Sequence, residues 1–216
     1  MKWIYNEYEF ENRVNNLAWT ISGNYDENVS LSKLDYSSKD VALYFAIMEG
    51  ARNKYIDWDI VKKYIYNRVK KGYDLSTILS LSQIVFNIIA ENKIIEERPG
   101  VEDIKNRVYK DILSTFTKIY NNEVIDKVKY AIVLESMGKH PRMDGNTVRI
   151  IKDIKEIDIK QDIVDILIDI DKIYFKYFQS IFVDSSTIDN VREITIDIVI
   201  VLRIVCKFYL QIILIF

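Results

Sequence analysis

Hydrophobic side chains recur three or four residues apart along most of the chain, which is the spacing of an amphipathic α-helix. The segments with this spacing are residues 8–21, 40–51, 58–71, 101–120, 124–138 and 163–178. Only two prolines and six glycines interrupt the 216 residues, and this composition favours long helices joined by short turns. We therefore predict an all-α fold, a multi-helix bundle of eight or nine helices.

One stretch is apolar around most of its circumference rather than along one side. Residues 75–90, LSTILSLSQIVFNIIA, contain no charged side chain, although 29% of all residues in the chain are charged. A helix of this kind belongs inside a bundle. The stretch is too short and too polar to cross a bilayer, which needs about 20 mainly apolar residues. We predict that a helix over residues 75–92 is the buried centre of the bundle.

Polar side chains form a single line along this predicted helix. Ser80, Gln83, Asn87 and Glu91 are three or four residues apart, so they share one face, and we call them the polar seam. In one interpretation they bond to neighbouring helices or to ordered water, because unpaired buried polar groups are costly. In the other they line a ligand-binding cavity. We favour the structural interpretation, since no nucleophile and base accompany the line.

Several residues predict where helices begin, end or pack closely. Asp57 is a suitable N-cap for the helix that follows it, and Gly72 is a stop signal for that helix. Pro99 and Gly100 predict a sharp turn after the central helix. Gly50 is small enough to let two helices approach closely.

The longest joint in the second half of the chain lies at residues 139–147, which contain a proline and a glycine. We predict one domain over residues 1–216, with a weak subdomain boundary at this joint. Residues 148–160 are ambiguous, because Ile157 and Ile159 alternate with charged residues as in a strand. For them we predict a helical turn and a loop.

Composition and charge narrow the class of protein. An apolar content of 49% and a net charge of −2 are typical of a soluble globular protein, and they indicate no basic face for nucleic acid. Cys206 is the one cysteine, so no internal disulfide can form, and a reducing compartment is indicated. The N-terminus carries acids where a secretory signal needs a basic region and an apolar run. We predict a cytoplasmic protein that binds no nucleic acid.

Residues with catalytic or metal-binding chemistry do not form a recognisable motif. His140 is the one histidine, and its charged neighbours predict an exposed loop. Asp162, Asp165 and Asp169 have the spacing of one helix face and the ligand type that magnesium accepts, but a solvated face shows the same pattern. We predict a solvated face, with no metal site, no cofactor and no catalytic residue.

The last segment, residues 198–216, is apolar except along one line. Arg203, Lys207 and Gln211 are spaced four residues apart on it. We predict a helix that faces the core or forms a dimer. The alternatives are membrane association and an unnatural chain end. Two cations near the middle of a membrane span would make insertion energetically unfavourable.

Residues 11–25, ENRVNNLAWTISGNY, and residues 91–103, ENKIIEERPGVED, resemble the helical region that precedes the A-type domain in uncharacterised bacterial von Willebrand A-type proteins. The resemblance implies a helical bacterial protein without the A-type domain itself. It also implies a protein partner, an AAA ATPase of the MoxR-like class, in metal insertion or complex assembly. Asp184 and Ser186 match part of the D-x-S-x-S metal motif of A-type domains, but Ile188 stands where the second serine is required. We therefore expect a loop and helix cap there, and no catalytic residue carries over.

The function that these observations predict is a non-enzymatic helical domain for protein–protein interaction or scaffolding, such as an assembly factor. The alternative is a small-molecule or metal-dependent enzyme. Its site would lie in the bundle, at the polar seam or at Asp162, Asp165 and Asp169, which we call the aspartate row.

Overall fold

The computed structural model describes residues 7–23, 39–116, 124–136 and 138–179. This part of the chain forms eight α-helices and contains no strand. They are α1 (Glu7–Ser22), α2 (Lys39–Tyr55), α3 (Trp58–Val69), α4 (Leu75–Glu97), α5 (Gly100–Phe116), α6 (Val124–Ser136), α7 (Gly145–Lys155) and α8 (Ile163–Phe178). The predicted all-α fold is confirmed.

The described helices belong to two compact units. The first unit contains α1, α2, the second half of α4 from Asn87, and α5. The second unit contains α3, the first half of α4 up to Phe86, α6, α7 and α8. The joint at residues 139–147, where the sequence predicts a weak boundary, lies within the second unit. One helix therefore contributes residues to both units.

In the first unit, α1 and α2 pack closely at Gly50. A β-carbon at this position would lie 2.7 Å from the carbonyl oxygen of Ala18 and 2.7 Å from Cβ of Ile21. Both distances are well below a normal van der Waals contact, so any side chain there would force the helices apart. The prediction that Gly50 permits a close helix approach is confirmed.

The start of α3, in the second unit, follows the predicted capping chemistry. Asp57 lies in an extended conformation before the helix, and its Oδ1 accepts from the backbone N–H groups of Asp59 at 3.0 Å and Ile60 at 3.2 Å. A cap of this kind satisfies donors that have no partner within the helix. Gly72, with φ of 89°, follows the last turn, as the stop signal predicts.

The segment that contains residues 148–160 is more helical than predicted. It holds α7, a helix of 11 residues, followed by a turn and loop before α8. Two features stabilise the helix. Asp144 caps it by accepting from the backbone N–H of Thr147 at 2.9 Å. Ile150 and Ile154 are buried on its inner face. The strand-like alternation at Ile157 is part of the predicted loop, whereas the predicted helical turn is longer than expected because it belongs to α7.

The helix α4 runs for 23 residues and ends at Glu97, further than the predicted residue 92. It ends where Pro99 disfavours a helical conformation at the preceding residue, and the predicted sharp turn leads directly into α5. By length and composition alone α4 could cross a membrane, a test that buried core helices also pass, and 67% of its apolar window is buried within the structure. The prediction that this segment is too short to span is therefore wrong, whereas its central place in the bundle stays a prediction.

Candidate functional site

The polar seam lies on α4 as predicted, but its four residues belong to different units. Ser80 and Gln83 are in the second unit, and Asn87 and Glu91 are in the first. Ser80 and Gln83 are 7% and 8% exposed, whereas the other two are half-buried. Each pair is therefore described within its own unit.

In the first unit, the carboxylate of Glu91 accepts from three donors. The hydroxyl groups of Tyr44 and Tyr109 donate to Oε2 at 2.8 Å and 2.9 Å, and the ammonium group of Lys105 forms an ion pair with Oε1. The side chains of Glu91 and Lys105 are 15% and 13% exposed. The four groups form a neutralised polar cluster, which we call the Glu91 cluster.

The environment of the Glu91 cluster keeps the phenol of Tyr44 protonated. Burial raises the pKa of Tyr44 well above its ordinary value, and the adjacent Tyr109 and Glu91 raise it further. The two phenol rings meet edge to face, with centroids 5.9 Å apart. A protonated phenol remains a hydrogen-bond donor to the carboxylate, so the cluster has the chemistry of a stable structural network rather than of a proton-transfer site.

Asn87, the other seam residue of the first unit, accepts from a buried arginine. Arg52 is 6% exposed, and its Nη1 donates to Oδ1 of Asn87 at 3.2 Å. Its Nη2 lies 2.5 Å from Oε2 of Glu49, one turn away on the same helix. Because a buried cation is costly without a counter-charge, Glu49 and Asn87 together stabilise the folded position of Arg52.

In the second unit, the seam residue Ser80 lies beside a lysine that the sequence did not single out. Nζ of Lys129, on α6, donates to Oγ of Ser80 at 2.9 Å. The Lys129 side chain is 11% exposed, and a carboxylate oxygen of Asp126 lies 3.9 Å from its Nζ. Nε2 of Gln83 is buried and has no hydrogen-bond partner among the described residues. We call Ser80, Gln83 and Lys129 the Ser80 cluster.

A half-buried ion pair of this unit was also missed by sequence reasoning. Asp171 on α8 accepts from the hydroxyl of Tyr64 at 2.7 Å and from Nε of Arg68 at 2.8 Å, both on α3. Burial is the main cause that raises the pKa of Tyr64, and its hydrogen bond to Asp171 adds to the shift. These residues are more than 100 positions apart in the chain, and no local pattern pairs them. The one available signal is that Asp171 lies among the apolar positions of α8.

The aspartate row does not present three carboxylates on one helix face. Asp162 is the N-cap of α8 and accepts from the backbone N–H of Val164. Asp165 is exposed. Asp169 accepts from Lys172 at 2.7 Å and Gln161 at 2.8 Å, and these bonds lower its pKa. Within the described ranges no group of three or more His, Cys, Asp or Glu side chains could hold a metal ion.

His140 is exposed in the joint before α7. The partial metal motif at Asp184 and Ser186 and the apolar segment 198–216 lie outside the described residues.

No protein family, curated protein or solved structure matches this chain. The resemblance of residues 11–25 and 91–103 to the helical region of von Willebrand A-type proteins therefore stays a prediction.

Proposed function

We propose that the chain is a cytoplasmic, non-enzymatic helical domain that binds a protein partner. The observation that carries this proposal is a row of exposed apolar side chains on α8. Val164, Ile168 and Phe175 are 50%, 46% and 45% exposed. At 3.6 residues per turn, their spacing of four and seven residues places them within an arc of about 40°. We call these three residues the α8 stripe.

One end of the α8 stripe is held in position by buried aromatic rings. The ring of Phe175 meets the ring of Tyr73 edge to face, with centroids 5.4 Å apart. Tyr73 is itself 3% exposed and stacks on Tyr174 at 4.2 Å. An aromatic side chain that is already ordered loses little entropy on binding, and such residues carry much of the binding energy of interfaces.

The length and borders of the stripe fit an amphipathic helix of the partner. Residues 164–175 extend for about 16 Å along α8, and exposed Asp165 and Lys172 lie to one side of the α8 stripe. Asp171 lies on the same face between Ile168 and Phe175, where its carboxylate is bonded to Arg68. An apolar centre with a polar rim is the usual arrangement of an interface, and apolar anchors of this spacing are those of helix-to-helix recognition. Given the resemblance of residues 11–25 and 91–103, an AAA ATPase of the MoxR-like class is the first partner to test.

The enzyme alternative has one observation in its favour, the 2.9 Å contact between Oγ of Ser80 and Nζ of Lys129. A serine and a lysine form the catalytic pair of some hydrolases, where a neutral lysine takes the serine proton. Here Lys129 donates to Ser80, and the carboxylate of Asp126 at 3.9 Å favours the charged ammonium. The contact therefore supports a bound, polarised hydroxyl rather than an activated nucleophile.

The proposal is tested by site-specific cross-linking followed by reconstitution. A photoreactive amino acid at position 168 of the full chain should form one defined adduct in cells, and the same group at position 165 should form little of it. The identified protein should then bind the purified chain. We expect Ile168→Ser and Phe175→Ser to weaken this binding about tenfold or more, because they remove apolar anchors.

Asp165→Ser is the matched control, since it changes an exposed residue of the same helix beside the stripe, and it should change the affinity by less than about twofold. Equal adducts at positions 165 and 168 would contradict the proposal. So would binding by the purified partner that Ile168→Ser and Phe175→Ser leave unchanged.

A further inference from the structure

The Ser80 cluster contains two buried hydrogen-bond donors without an acceptor among the described residues. Nε2 of Gln83 has no partner. Oγ of Ser80 accepts from Lys129, and no described group accepts the hydroxyl proton of Ser80 in return. Both side chains are more than nine-tenths buried. Buried donors without acceptors are destabilising and rare in native proteins, so the two donors call for an acceptor that is not part of the described chain.

The geometry of α4 brings these two donors together. Residues three apart on a helix are neighbours on one face. Helical side chains also lean toward the N-terminus, over the preceding turn, so the amide of Gln83 leans over Ser80. The neighbouring Ser82 shows the contrasting case, because its hydroxyl already donates to the carbonyl oxygen of Ile78 at 2.8 Å. Ser80 and Gln83 thus form a pair of adjacent donors, and Ser82 has its own acceptor.

Lys129 determines which kind of acceptor the donors favour. By donating to Oγ of Ser80, its ammonium group occupies one oxygen lone pair and polarises the hydroxyl, which strengthens the bond that Ser80 can donate. Its positive charge also favours an anionic acceptor nearby. A carboxylate has two oxygens that accept from two adjacent donors at once. Buried Leu79 and Ile84 adjoin the two donors along α4 and suit an aliphatic group.

We propose that Ser80 and Gln83 form a binding site for the carboxylate of a small aliphatic acid, with Lys129 as the residue that orients Ser80 and supplies positive charge. The site lies within the second unit and does not rest on the partner-binding proposal. It takes a ligand through two neutral donors beside a cation, so a carboxylate should bind better than a neutral amide of the same shape.

The test uses the full chain with sodium butyrate and sodium acetate as probes, and with acetamide and sodium chloride at matched concentration and ionic strength as controls. We expect a saturable rise in melting temperature and saturable binding heat with butyrate, because a ligand that binds only the native state stabilises it. Gln83→Met and Ser80→Ala should each weaken butyrate binding about tenfold or more, the loss of one hydrogen bond to a charged group. Lys129→Met should weaken butyrate binding and should leave any acetamide binding unchanged.

Ser82→Ala is the matched control, since it removes a buried hydroxyl of the same helix that has its own acceptor. The affinity of this variant for butyrate should stay within about twofold of the original. Gln83→Met removes an unpartnered amide and should fold normally, so the test stands even if Ser80→Ala is unstable. The absence of a saturable response to either acid would overturn the proposal and assign the donors to buried water. An equal response to acetamide, or unchanged butyrate binding by Gln83→Met, would overturn it as well.

Discussion

The two halves of the polar seam follow one spacing on one helix, yet their buried groups have opposite balances of donors and acceptors. In the first unit, the carboxylate of Glu91 receives two phenols and an ammonium group. In the second unit, Ser80 and Gln83 keep donors for which the described residues supply no acceptor. The Glu91 cluster is therefore closed by its own protein groups, whereas the Ser80 cluster is open to a further group.

A polar line on a buried helix therefore has no single structural role. The side chains on the facing helices decide whether each position is structural or available for binding. A buried acceptor surrounded by donors rigidifies the fold, and a buried donor without an acceptor is a candidate for ligand binding. Matched substitutions in the two halves of the polar seam should therefore change stability differently, and similar changes would contradict the difference between the clusters.

The largest expected effect is the loss of the Glu91 carboxylate. Glu91→Ala would remove the carboxylate that the Lys105 ammonium group, the buried phenol of Tyr44 and the half-buried phenol of Tyr109 donate to, and should lower the free energy of unfolding by about 3 kcal/mol or more. Glu97 is the matched control, because it lies on the same helix and also accepts from a lysine and a tyrosine, Lys54 and Tyr55. Its side chain is 39% exposed, so Glu97→Ala should cost much less than Glu91→Ala, because solvent screens exposed ion pairs. Equal losses in urea unfolding would show that the Glu91 cluster is not a buried network.

The next effect compares the two seam amides directly. Asn87→Leu removes an acceptor of the buried Arg52 and should lower the free energy of unfolding by about 1–3 kcal/mol. Gln83→Met removes an unpartnered donor, so its free energy of unfolding should lie within about 0.5 kcal/mol of the original value or above it. Thermal unfolding of the two variants under the same conditions measures both changes in stability. A Gln83→Met variant that is less stable than Asn87→Leu would contradict the open character of the Ser80 cluster.

A smaller effect concerns alkaline pH and Tyr44. Its pKa is raised in the folded state, so its contribution to stability is fully present below the unfolded value of about 10 and is lost as the pH rises through the folded value. The free energy of unfolding should therefore fall above pH 10 more steeply in the original chain than in Tyr44→Phe, by up to about 1.4 kcal/mol per pH unit. Parallel slopes in the two proteins would show that Tyr44 is not protected by its cluster.

The smallest expected effect concerns the pKa of the exposed carboxylate of Glu97. The Lys54 ammonium group and the Tyr55 hydroxyl lower the pKa of Glu97 to about 2. The corresponding contribution to stability is present above the unfolded value of about 4.3 and is lost as the pH falls toward the folded value. Carboxyl carbon shifts measured by NMR should titrate with a midpoint near 2 in the original chain.

Lys54→Met should raise the Glu97 midpoint toward the ordinary glutamate value, because it removes the main cause of the shift. Arg98→Gln is the control, since Arg98 is the smallest contributor to the same shift, and the midpoint should change little. If Glu97 in the original chain titrated at the ordinary glutamate value, Lys54 and Tyr55 would not stabilise its carboxylate. Glu97 would then not be a valid exposed counterpart of Glu91.

The features that sequence reasoning predicted are those that arise from neighbours along the chain. Asp57 caps α3 because its carboxylate reaches backbone N–H groups two and three residues away. The seam residues share a face because the helix repeats every 3.6 residues. The length of α7 was missed because strand-like alternation at Ile157 obscured a helix with an N-cap at Asp144 and three buried isoleucines.

The features that sequence reasoning missed join residues far apart in the chain. Lys129 is 49 positions from Ser80, and Asp171 is 103 positions from Arg68. Within its own segment, Lys129 resembles the solvated side of an amphipathic helix. Asp171 lies among the apolar positions of α8, but no local spacing shows which group of another helix either residue faces.

The all-α class, the cap at Asp57, the close approach at Gly50 and the polar line on α4 follow from the sequence alone, because hydrophobic periodicity and backbone capping act within a few residues. Only the tertiary structure decided that Glu91 is surrounded by donors while Ser80 and Gln83 lack acceptors. The physical reason is that a hydrogen bond depends on the position of both partners, and helix packing brings those partners together.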